Sequence, residues 1–298
     1  MDMLSIRALT KSFREKVVLD ELNLSVPEHS IFGFVGKNGA GKTTAMKIAL
    51  GLLRAESGEV FVNGERVSYG DTKTNRYIGY LPDVPEFYPF MTAREYLRFS
   101  SEISDSYTSK TSSRIDELLL LVGLSEERDR ILGYSRGMKQ RLGIAAALLN
   151  RPKLLICDEP TSALDPVGRK EILDILIRVK EETTILFSTH ILSDVERICT
   201  DIALLNNGRA DIQGKLSDIK SSFRIDSYSI RTRTPKDARA ILLAFPKMKS
   251  AGADQLVFSE CDYNSFSVLR FISDNKIPII NFERAEPTLE SLFMEATK

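Results

Sequence analysis

The chain has 298 residues, enough for one large domain and a small one, and its 41 Lys and Arg residues balance its 41 Asp and Glu residues. This neutral balance argues against a non-specific nucleic-acid binder, which would carry a basic excess. No apolar run approaches the roughly 18–20 residues that cross a bilayer, and the N-terminus lacks the charged and apolar regions of a signal peptide, so we expect no membrane span.

The first 67 residues predict a β-rich subdomain. Apolar side chains alternate with polar ones in two stretches, as expected of half-buried antiparallel strands. The alternating positions are Leu4, Ile6 and Ala8 in the first stretch and Leu22, Leu24 and Val26 in the second. Asn63-Gly64 supplies the positive φ angles of a tight turn, so residues 60–67 are expected to form a hairpin.

Between these strands lies a glycine-rich segment that follows an apolar run at 31–35 and precedes a helix-compatible run at 45–50. The segment consists of Gly36, Lys37, Asn38, Gly39, Ala40, Gly41, Lys42, Thr43 and Thr44. Such a turn directs backbone N–H groups at an anion, and the helix that follows adds its partly positive N-terminus. Lys42 can reach the β- and γ-phosphates and Thr43 can ligate Mg²⁺. We therefore predict that the chain binds a nucleoside triphosphate with Mg²⁺.

The sequence pattern from about residue 85 to 150 predicts a helical insert. Thr92-Ala93-Arg94-Glu95 fits a capping box, and the serine-rich stretch at 100–113 indicates a solvated connection or a poorly formed helix. A further helix is predicted by Ile115, Leu118, Leu119 and Val122, with Gly123 as its stop.

Two continuous apolar runs, at 154–157 and 184–187, flank a predicted helix at 168–182 and indicate a parallel sheet covered on both faces. Asp158 and Glu159 follow the first run, at the strand end where open α/β sheets bind ligands. We expect Asp158 to serve Mg²⁺, Glu159 to polarise an attacking water and His190 to touch the γ-phosphate. Taken singly, the acids could be a solvated strand end and the histidine could be structural.

Two further turns are ambiguous when each is considered alone. Ser135 and Gly137 precede a helical run at 142–150, where they could form a second anion site or an ordinary helix cap. Asp165, in the turn at 162–166, is expected to cap the helix that follows it.

Beyond about residue 220 the pattern changes again, which divides the chain into a domain at 1–220 and a small α/β domain at 221–298. The strand-like segments of the second are Tyr228–Thr232, Leu256–Phe258 and Pro278–Phe282, and the helix-like ones are Lys236–Phe245, Asn264–Asn275 and Thr288–Ala296. The three cysteines, Cys157, Cys199 and Cys261, are far apart and lack metal-ligand spacing, so we expect reduced, buried residues of a cytosolic protein.

Taken together, and over residues 4–215, these motifs resemble the ATP-binding subunits of ABC transporters. Gly36–Thr43 resembles the Walker A loop, Leu154–Asp158 Walker B, Tyr134–Met138 the signature loop and Ser162–Asp165 the D-loop. The resemblance implies that Glu159 is the catalytic carboxylate, His190 the switch histidine and Phe13 the ring that stacks on adenine. It also implies a P-loop ATPase core with a mostly parallel sheet, an antiparallel β subdomain and a helical insert.

The sequence departs from the family pattern in two loops. The usual signature is Leu-Ser-Gly-Gly-Gln, and here Tyr134, Arg136 and Met138 replace three of its residues. Ser135 and Gly137, which would face phosphate, remain, so we expect the loop to work. Asp83 stands where the family usually has a glutamine that contacts Mg²⁺ and the membrane partner, and a carboxylate there could still meet a cation.

The resemblance also implies partners. Two copies, as a homodimer or a heterodimer, would hold two ATP molecules between them, because the signature loop of one copy completes the site of the other. A separate membrane permease is expected, which would place the chain in the cytoplasm, peripheral on the inner face of the membrane. The apolar segment at 88–91 either docks on that permease or packs on the insert, and the sequence does not choose between them.

Export is expected because residues 134–138 and 286–290 look most like bacterial export systems. The competing interpretations are an ATPase of the same family that acts on nucleic acid or ribosomes and a regulatory module that binds nucleotide without hydrolysing it. The insert is too short for a chromosome-type coiled coil, the single cassette is unusual for translation factors, and the presence of Glu159 and His190 disfavours a module that cannot hydrolyse.

Overall fold

The computed structural model describes residues 2–71, 73–104, 110–222, 227–285 and 289–290. They form two compact units, one ending at Leu216 and the other beginning at Ser217. The strands of the first unit are β1 (Asp2–Phe13), β2 (Lys16–Pro27), β3 (Ile31–Val35), β4 (Ser57–Val62), β5 (Glu65–Arg66), β6 (Ile78–Leu81), β7 (Leu154–Asp158), β8 (Thr184–Thr189), β9 (Asp201–Asn206) and β10 (Arg209–Lys215). Its helices are α1 (Lys42–Ala49), α2 (Ala93–Ile103), α3 (Thr111–Leu121), α4 (Arg136–Ala147), α5 (Pro166–Val179) and α6 (Leu192–Ile198), and α7 (Leu216–Ser222) follows β10.

A six-stranded sheet of order β10-β9-β3-β8-β7-β6 forms the centre of the first unit. Its strands pair in parallel apart from β10, which is antiparallel to β9. Every residue of β3, β7 and β8 is buried, as their continuous apolar sequences predict for strands covered on both faces. The predicted α/β fold with a mostly parallel sheet is confirmed.

A second sheet, of order β2-β1-β4-β5, is antiparallel and matches the predicted β-rich subdomain. The hairpin between β4 and β5 turns at Asn63 and Gly64, which have φ angles of 49° and 77°. The alternation predicted for Ala8 is wrong: Ala8 is exposed with a φ of 45°, and the pairing of β1 with β2 shifts between Ile6 and Leu9. This β-bulge moves burial one residue along, so that Leu9 enters the core in its place.

The helical insert begins as predicted. The Thr92 hydroxyl accepts from the Glu95 N–H, and the Glu95 carboxylate accepts from the Thr92 N–H, which completes the capping box of α2. Helix α2 continues to Ile103, further into the serine-rich stretch than expected, and residues 105–109 of that stretch lie outside the described residues. The predicted second helix is α3, which stops before Gly123 (φ 67°).

Helix α4 approaches β6 closely at two glycines, Gly79 on the strand and Gly143 on the helix, each of which faces another residue of the opposite element. A Cβ on Gly79 would lie 2.2 Å from the Ala147 carbonyl oxygen, and one on Gly143 would lie 2.5 Å from Leu81. Neither position has room for a side chain, so α4 is fixed against the strand that leads to Asp83.

The second unit contains β11 (Ser227–Thr232), α8 (Pro235–Ala244), β12 (Lys249–Ser250), β13 (Gln255–Ser259), α9 (Ser265–Asp274) and β14 (Ile279–Ala285). Its strands form an antiparallel sheet of order β12-β13-β11-β14, which is the arrangement of a split β-α-β-β-α-β fold. Ile230, Ile241 and Phe258 lie at its core. Most of the predicted helix at 288–296 lies outside the described residues.

In the described residues, no helix is both long and apolar enough to span a bilayer. The burial predicted for the cysteines is right for Cys157 and wrong for Cys261, which is exposed, and Cys199 is intermediate. Cys261 follows β13 in a surface turn, where its short side chain has no apolar layer to enter.

Candidate nucleotide site

Four neighbouring strands of the large sheet end at one edge, and a predicted motif follows each of them. β3 leads into the glycine-rich loop, β8 into His190, β7 into Glu159 and β6 into Asp83. Because β3, β8, β7 and β6 pair in that order and run parallel, their carboxyl ends lie side by side. This edge is where open α/β sheets bind their ligands.

The glycine-rich loop is an open cradle that ends on a helix. Gly39 has a φ of 82° and Gly41 a φ of 108°, values that side-chain-bearing residues rarely adopt. A Cβ on Gly41 would lie 2.8 Å from the Val18 carbonyl oxygen, whereas one on Gly39 would meet nothing within 4 Å. The Lys37 carbonyl oxygen accepts a hydrogen bond from the Ala40 N–H at 3.1 Å, and α1 begins at Lys42. The open space at Gly39 and the helix N-terminus together suit an anion.

Lys42 is the cation of this cradle. Its side chain is buried, and its Nζ donates to the Gly36 carbonyl oxygen at 2.6 Å. The same Nζ lies 3.2 Å from Oε1 of Glu159. Lys42 is thus paired with two acceptors of its own chain, the Gly36 carbonyl oxygen and the Glu159 carboxylate.

Thr43 and Asp158 form an oxygen-rich pair beside the cradle. The Thr43 hydroxyl donates to one oxygen of the buried Asp158 carboxylate at 2.7 Å, and the Ser188 hydroxyl donates to the other at 2.6 Å. Carboxylate and hydroxyl oxygens are hard donors of the kind that Mg²⁺ accepts. Across the described parts of the chain, no cluster of three or more His, Cys, Asp or Glu could hold a metal ion. A Mg²⁺ ion here would therefore draw further ligands from phosphates and water, as is usual for this ion.

Glu159 is held in a strained conformation between a cation and a histidine. Its φ is 48°, outside the regions that non-glycine residues prefer, and its N–H donates to both the carbonyl and the hydroxyl oxygen of Ser188, at 3.2 and 3.0 Å. Oε2 lies 2.9 Å from Nδ1 of His190, while Oε1 faces Lys42. This backbone strain aims the carboxylate across the mouth of the cradle.

The Asp83 carboxylate lies at the rim of the same cavity. The Ser162 hydroxyl donates to its Oδ1 at 2.6 Å, and the Arg136 guanidinium lies 3.5 Å from that oxygen. The fully buried Gln140 amide donates to the Asp83 carbonyl oxygen at 3.1 Å and to that of Pro160 at 3.3 Å. The loop after β6 is therefore joined to the start of α4 within one chain.

An open cavity of about 370 Å³ collects these groups, and residues from all four loops line it. Several site residues predicted from the sequence line this cavity, among them Asn38, Lys42, Thr43, Asp83, Glu159 and His190. Val18 lines the cavity as well, whereas Phe13 is 47 % exposed on β1 and has Lys11 beside its ring.

Ser135, Gly137 and Asp165 do not line this cavity. Ser135 caps α4 by accepting from the Met138 N–H, and Asp165 caps α5 by accepting from the Gly168 N–H, as a capping role predicts. Ser135 is exposed and Gly137 is half-buried, so the phosphate-facing pair of the signature segment lies outside the site of its own chain.

Sequence reasoning missed Ser188, Arg136 as the partner of Asp83, and a partly buried ion pair between Arg169 and Asp194 (2.6 Å). Ser188 stands two residues before His190, but only the adjacency of β7 and β8 shows that it supports Asp158. The sequence showed that Arg136 departs from the family signature, but it did not indicate that Arg136 pairs with Asp83.

The sheet order, the cradle and the grouped acids define a P-loop ATPase. Comparisons with known proteins narrow this class. Residues 19–162 match the ABC transporter family, and residues 214–297 match the C-terminal domain of proteins like the ATP-binding protein DrrA1-3.

Curated relatives agree with that family. The uncharacterized ABC transporter ATP-binding protein YxlF of Bacillus subtilis is 42 % identical over 78 % of this chain and 77 % of its own length. YhcH of the same organism, with the same description, is 32 % identical over 99 % of this chain and 96 % of its own. The bacitracin transport ATP-binding protein BcrA of Bacillus licheniformis is 41 % identical over 67 % of this chain and 66 % of its own.

Solved structures share the fold. The ATP-binding subunit of an ABC transporter superimposes with a TM-score of 0.66 at 32 % identity, over 74 % of this chain and 93 % of its own. A dimeric ATP-binding cassette in a post-hydrolysis state, bound to ADP and Pi, superimposes with a TM-score of 0.63 at 25 % identity, over 72 % of this chain and 99 % of its own. This chain belongs to the ATP-binding subunits of ABC transporters and is an ATPase of that family.

Proposed function

We propose that this chain binds ATP with Mg²⁺ in the cavity at the glycine-rich loop and uses its hydrolysis to drive export through a separate membrane permease. The observation that carries the proposal is the convergence of Lys42, Thr43, Asp158, Glu159 and His190 at the ends of three neighbouring strands. That set supplies a phosphate cradle, a cation site and a carboxylate in one place.

Each part of the nucleotide has a candidate partner. The N–H groups of residues 36–44 would surround the β- and γ-phosphates, and Lys42 would exchange its contact with Gly36 for a phosphate oxygen. Phe13, half exposed on β1, would offer its ring to adenine.

Thr43 and Asp158 would hold Mg²⁺, while Asp83, whose Oδ1 already faces Ser162 and Arg136, would stay at the rim of the cavity. The donor set fits this ion, since it consists of hydroxyl and carboxylate oxygens. When bound, Mg²⁺ supplies positive charge that offsets the charge on the phosphate oxygens.

Glu159 would act on the attacking water. Its carboxylate is only slightly exposed, points across the cradle and can accept a hydrogen bond from that water, which fixes the lone pair toward the γ-phosphorus. His190, 2.9 Å from Glu159, would hold the carboxylate in this orientation and contact the γ-phosphate on its other side. The water oxygen then bonds to phosphorus, its proton passes to the Glu159 carboxylate, and the bond from phosphorus to the bridging oxygen breaks with its electron pair going to ADP.

A second copy would complete the site, as a homodimer or a heterodimer. Ser135 and Gly137 lie outside the cavity of their own chain, where a hydroxyl and a backbone N–H at the start of α4 are free to face the nucleotide of a partner. Asp165 would lie at the same interface. The dimeric cassette bound to ADP and Pi, similar in fold, supports this arrangement by analogy.

The permease would dock beside the insert, which would hold the chain peripherally on the cytoplasmic face of the membrane. Tyr88 and Phe90 are 47 % and 60 % exposed, and the Tyr88 ring also lies 5.5 Å from that of Phe99 on α2. The patch is thus anchored on the insert yet offers apolar surface to a partner. The similarity to a bacitracin transport protein supports transport as the function, and the export direction rests on the resemblance of residues 134–138 and 286–290 to bacterial export systems.

The test compares two substitutions in the purified chain. Glu159→Gln should bind MgATP and lose nearly all hydrolysis, whereas Lys42→Ala should lose binding itself. Undiminished phosphate release by Glu159→Gln would remove Glu159 from the hydrolytic role, and unchanged affinity of Lys42→Ala would refute the phosphate-loop assignment.

A second experiment separates transport from the competing roles. Affinity purification from membranes should recover a polytopic membrane protein, and substituting Tyr88 and Phe90 by Ser should weaken that recovery without changing the binding of MgATP. Recovery of nucleic acid or ribosomes in its place would favour the non-transport ATPase.

A further inference from the structure

Each carboxylate that lines the cavity or, like Asp158, lies buried beside it has a partner within the same chain. Asp158 accepts two hydroxyl hydrogen bonds, and Glu159 lies between Lys42 and His190. Asp83 differs, because its cation, Arg136, does not itself line the cavity. Arg136 reaches Asp83 from the start of α4, beyond the rim.

This pairing matters because the proposed ligand is a polyanion. A carboxylate at the cavity rim repels triphosphate oxygens, and since the Asp83 side chain is 49 % exposed, water weakens this repulsion without abolishing it. The guanidinium of Arg136 lies 3.5 Å from Asp83 Oδ1 and 3.3 Å from the Ser162 hydroxyl, which donates to the same oxygen. Asp83 is thus neutralised and held in one orientation at the same time.

Helix α4 presents Arg136 in a fixed position. Arg136, Gln140 and Gly143 are spaced by four and three residues, so they lie on one face of the helix. Gln140 is fully buried and donates to the carbonyl oxygens of Asp83 and Pro160, while Gly143 packs against β6 without room for a Cβ. The packing of α4 therefore fixes the backbone of Arg136 relative to the loop that carries Asp83.

We infer that Arg136 is a positioning residue for the ATPase reaction: it acts through Asp83, which it holds at the cavity rim and whose repulsion of the incoming triphosphate it cancels. The inference rests on the proposed binding of MgATP in this cavity. It assigns a cis role to a residue of the signature segment, whose neighbours Ser135 and Gly137 are proposed to serve the partner copy.

The experiment is a charge cycle on the full chain, with KM and kcat for MgATP measured for the unsubstituted protein, Arg136→Gln, Arg136→Lys, Asp83→Asn and the Asp83→Asn/Arg136→Gln pair. Arg136→Gln should raise KM about fivefold with kcat within about twofold, since the effect is electrostatic repulsion of substrate at a half-exposed site. Arg136→Lys should recover most of the loss.

The effect of Arg136→Gln in the Asp83→Asn variant decides whether Arg136 acts through Asp83. With Asn at position 83, Arg136→Gln should change KM by less than about 1.5-fold, because no charge is left to cancel. Raising the salt concentration should also narrow the gap between the unsubstituted protein and Arg136→Gln. Equal KM losses in both backgrounds, or an unchanged KM for Arg136→Gln, would overturn the inference.

Two other outcomes are also informative. A lower kcat with unchanged KM in both backgrounds would mean that Arg136 acts on the nucleotide of the partner copy, and this also overturns the inference. Calorimetric titration with a non-hydrolysable ATP analogue and Mg²⁺ distinguishes failure of the inference about Arg136 from failure of the proposed function. If the unsubstituted chain binds the analogue and Arg136→Gln binds equally well, only the inference fails; if the unsubstituted chain does not bind it, the proposed function fails as well.

Discussion

Helices α5 and α6 are joined by two ion pairs of similar length in different surroundings, which allows a matched test of what burial does to a salt bridge. Arg169 pairs with Asp194 at 2.6 Å, and the Asp194 carboxylate also accepts from the buried Thr161 hydroxyl at 2.7 Å. Arg197 pairs with Asp174 at 2.8 Å on the surface. We expect Asp194→Asn to destabilise the protein far more than Asp174→Asn.

The magnitude follows from exposure. The Asp194 side chain is 4 % exposed, and removing one partner of a buried pair costs about 3–5 kcal/mol. Arg169 is 29 % exposed and can regain some water, which lowers the expected loss to about 2–3 kcal/mol. Both partners of the surface pair are 39 % exposed, and such pairs contribute about 0–1 kcal/mol.

The assay is thermal unfolding of the full chain at one protein concentration and pH. For a unit of this size about 2–3 kcal/mol corresponds to a fall in melting temperature of about 5–10 °C for Asp194→Asn, against about 0–4 °C for Asp174→Asn. Equal shifts for the two variants would refute the reasoning, because geometry alone does not distinguish the pairs.

Two further predictions concern packing and cysteine reactivity. Gly79→Ala should lower the free energy of unfolding, measured with denaturant, by about 2–3 kcal/mol, because the new Cβ would lie 2.2 Å from the Ala147 carbonyl oxygen. Gly133→Ala is the control and should be near neutral, because a Cβ there would meet nothing within 4 Å. Equal losses of stability in the two variants would contradict the close approach of α4 to β6. Iodoacetamide should modify one thiol rapidly in the folded chain, and Cys261→Ser should abolish that fast phase, since Cys261 is exposed while burial raises the pKa of the Cys157 and Cys199 thiols. A fast phase that survives Cys261→Ser would show that another thiol is accessible.

The sequence predicted those features of the fold that depend on local chemistry. The turn at Asn63-Gly64, the capping box at Thr92 and the cap at Asp165 each follow from residues within a few positions of one another, and all three form as expected. Continuous apolar runs predicted the buried strands, since a strand that is covered on both faces has no polar side. The motif order then predicted the family, which the comparisons confirm.

What the sequence did not reveal depends on contacts between distant segments. The bulge at Ala8 arises from how β1 pairs with its neighbour, and an alternating pattern contains no sign of an extra residue. The support of Asp158 by Ser188 and the pairing of Asp83 with Arg136 join residues 30 and 53 positions apart. Such pairs become visible only once the strand order and the placement of α4 are known.

The cavity proposed to bind the triphosphate is lined by two carboxylates, Asp83 and Glu159, and a third, Asp158, lies beside it. In the described chain Lys42 is the shared partner: it bonds the Gly36 carbonyl and faces Glu159. A phosphate that draws Lys42 toward itself removes the cation beside Oε1 of Glu159 and leaves that carboxylate with His190 as its remaining partner. Because one ammonium group serves both purposes, we expect that binding the triphosphate and freeing Glu159 for the water are the same event rather than two successive ones.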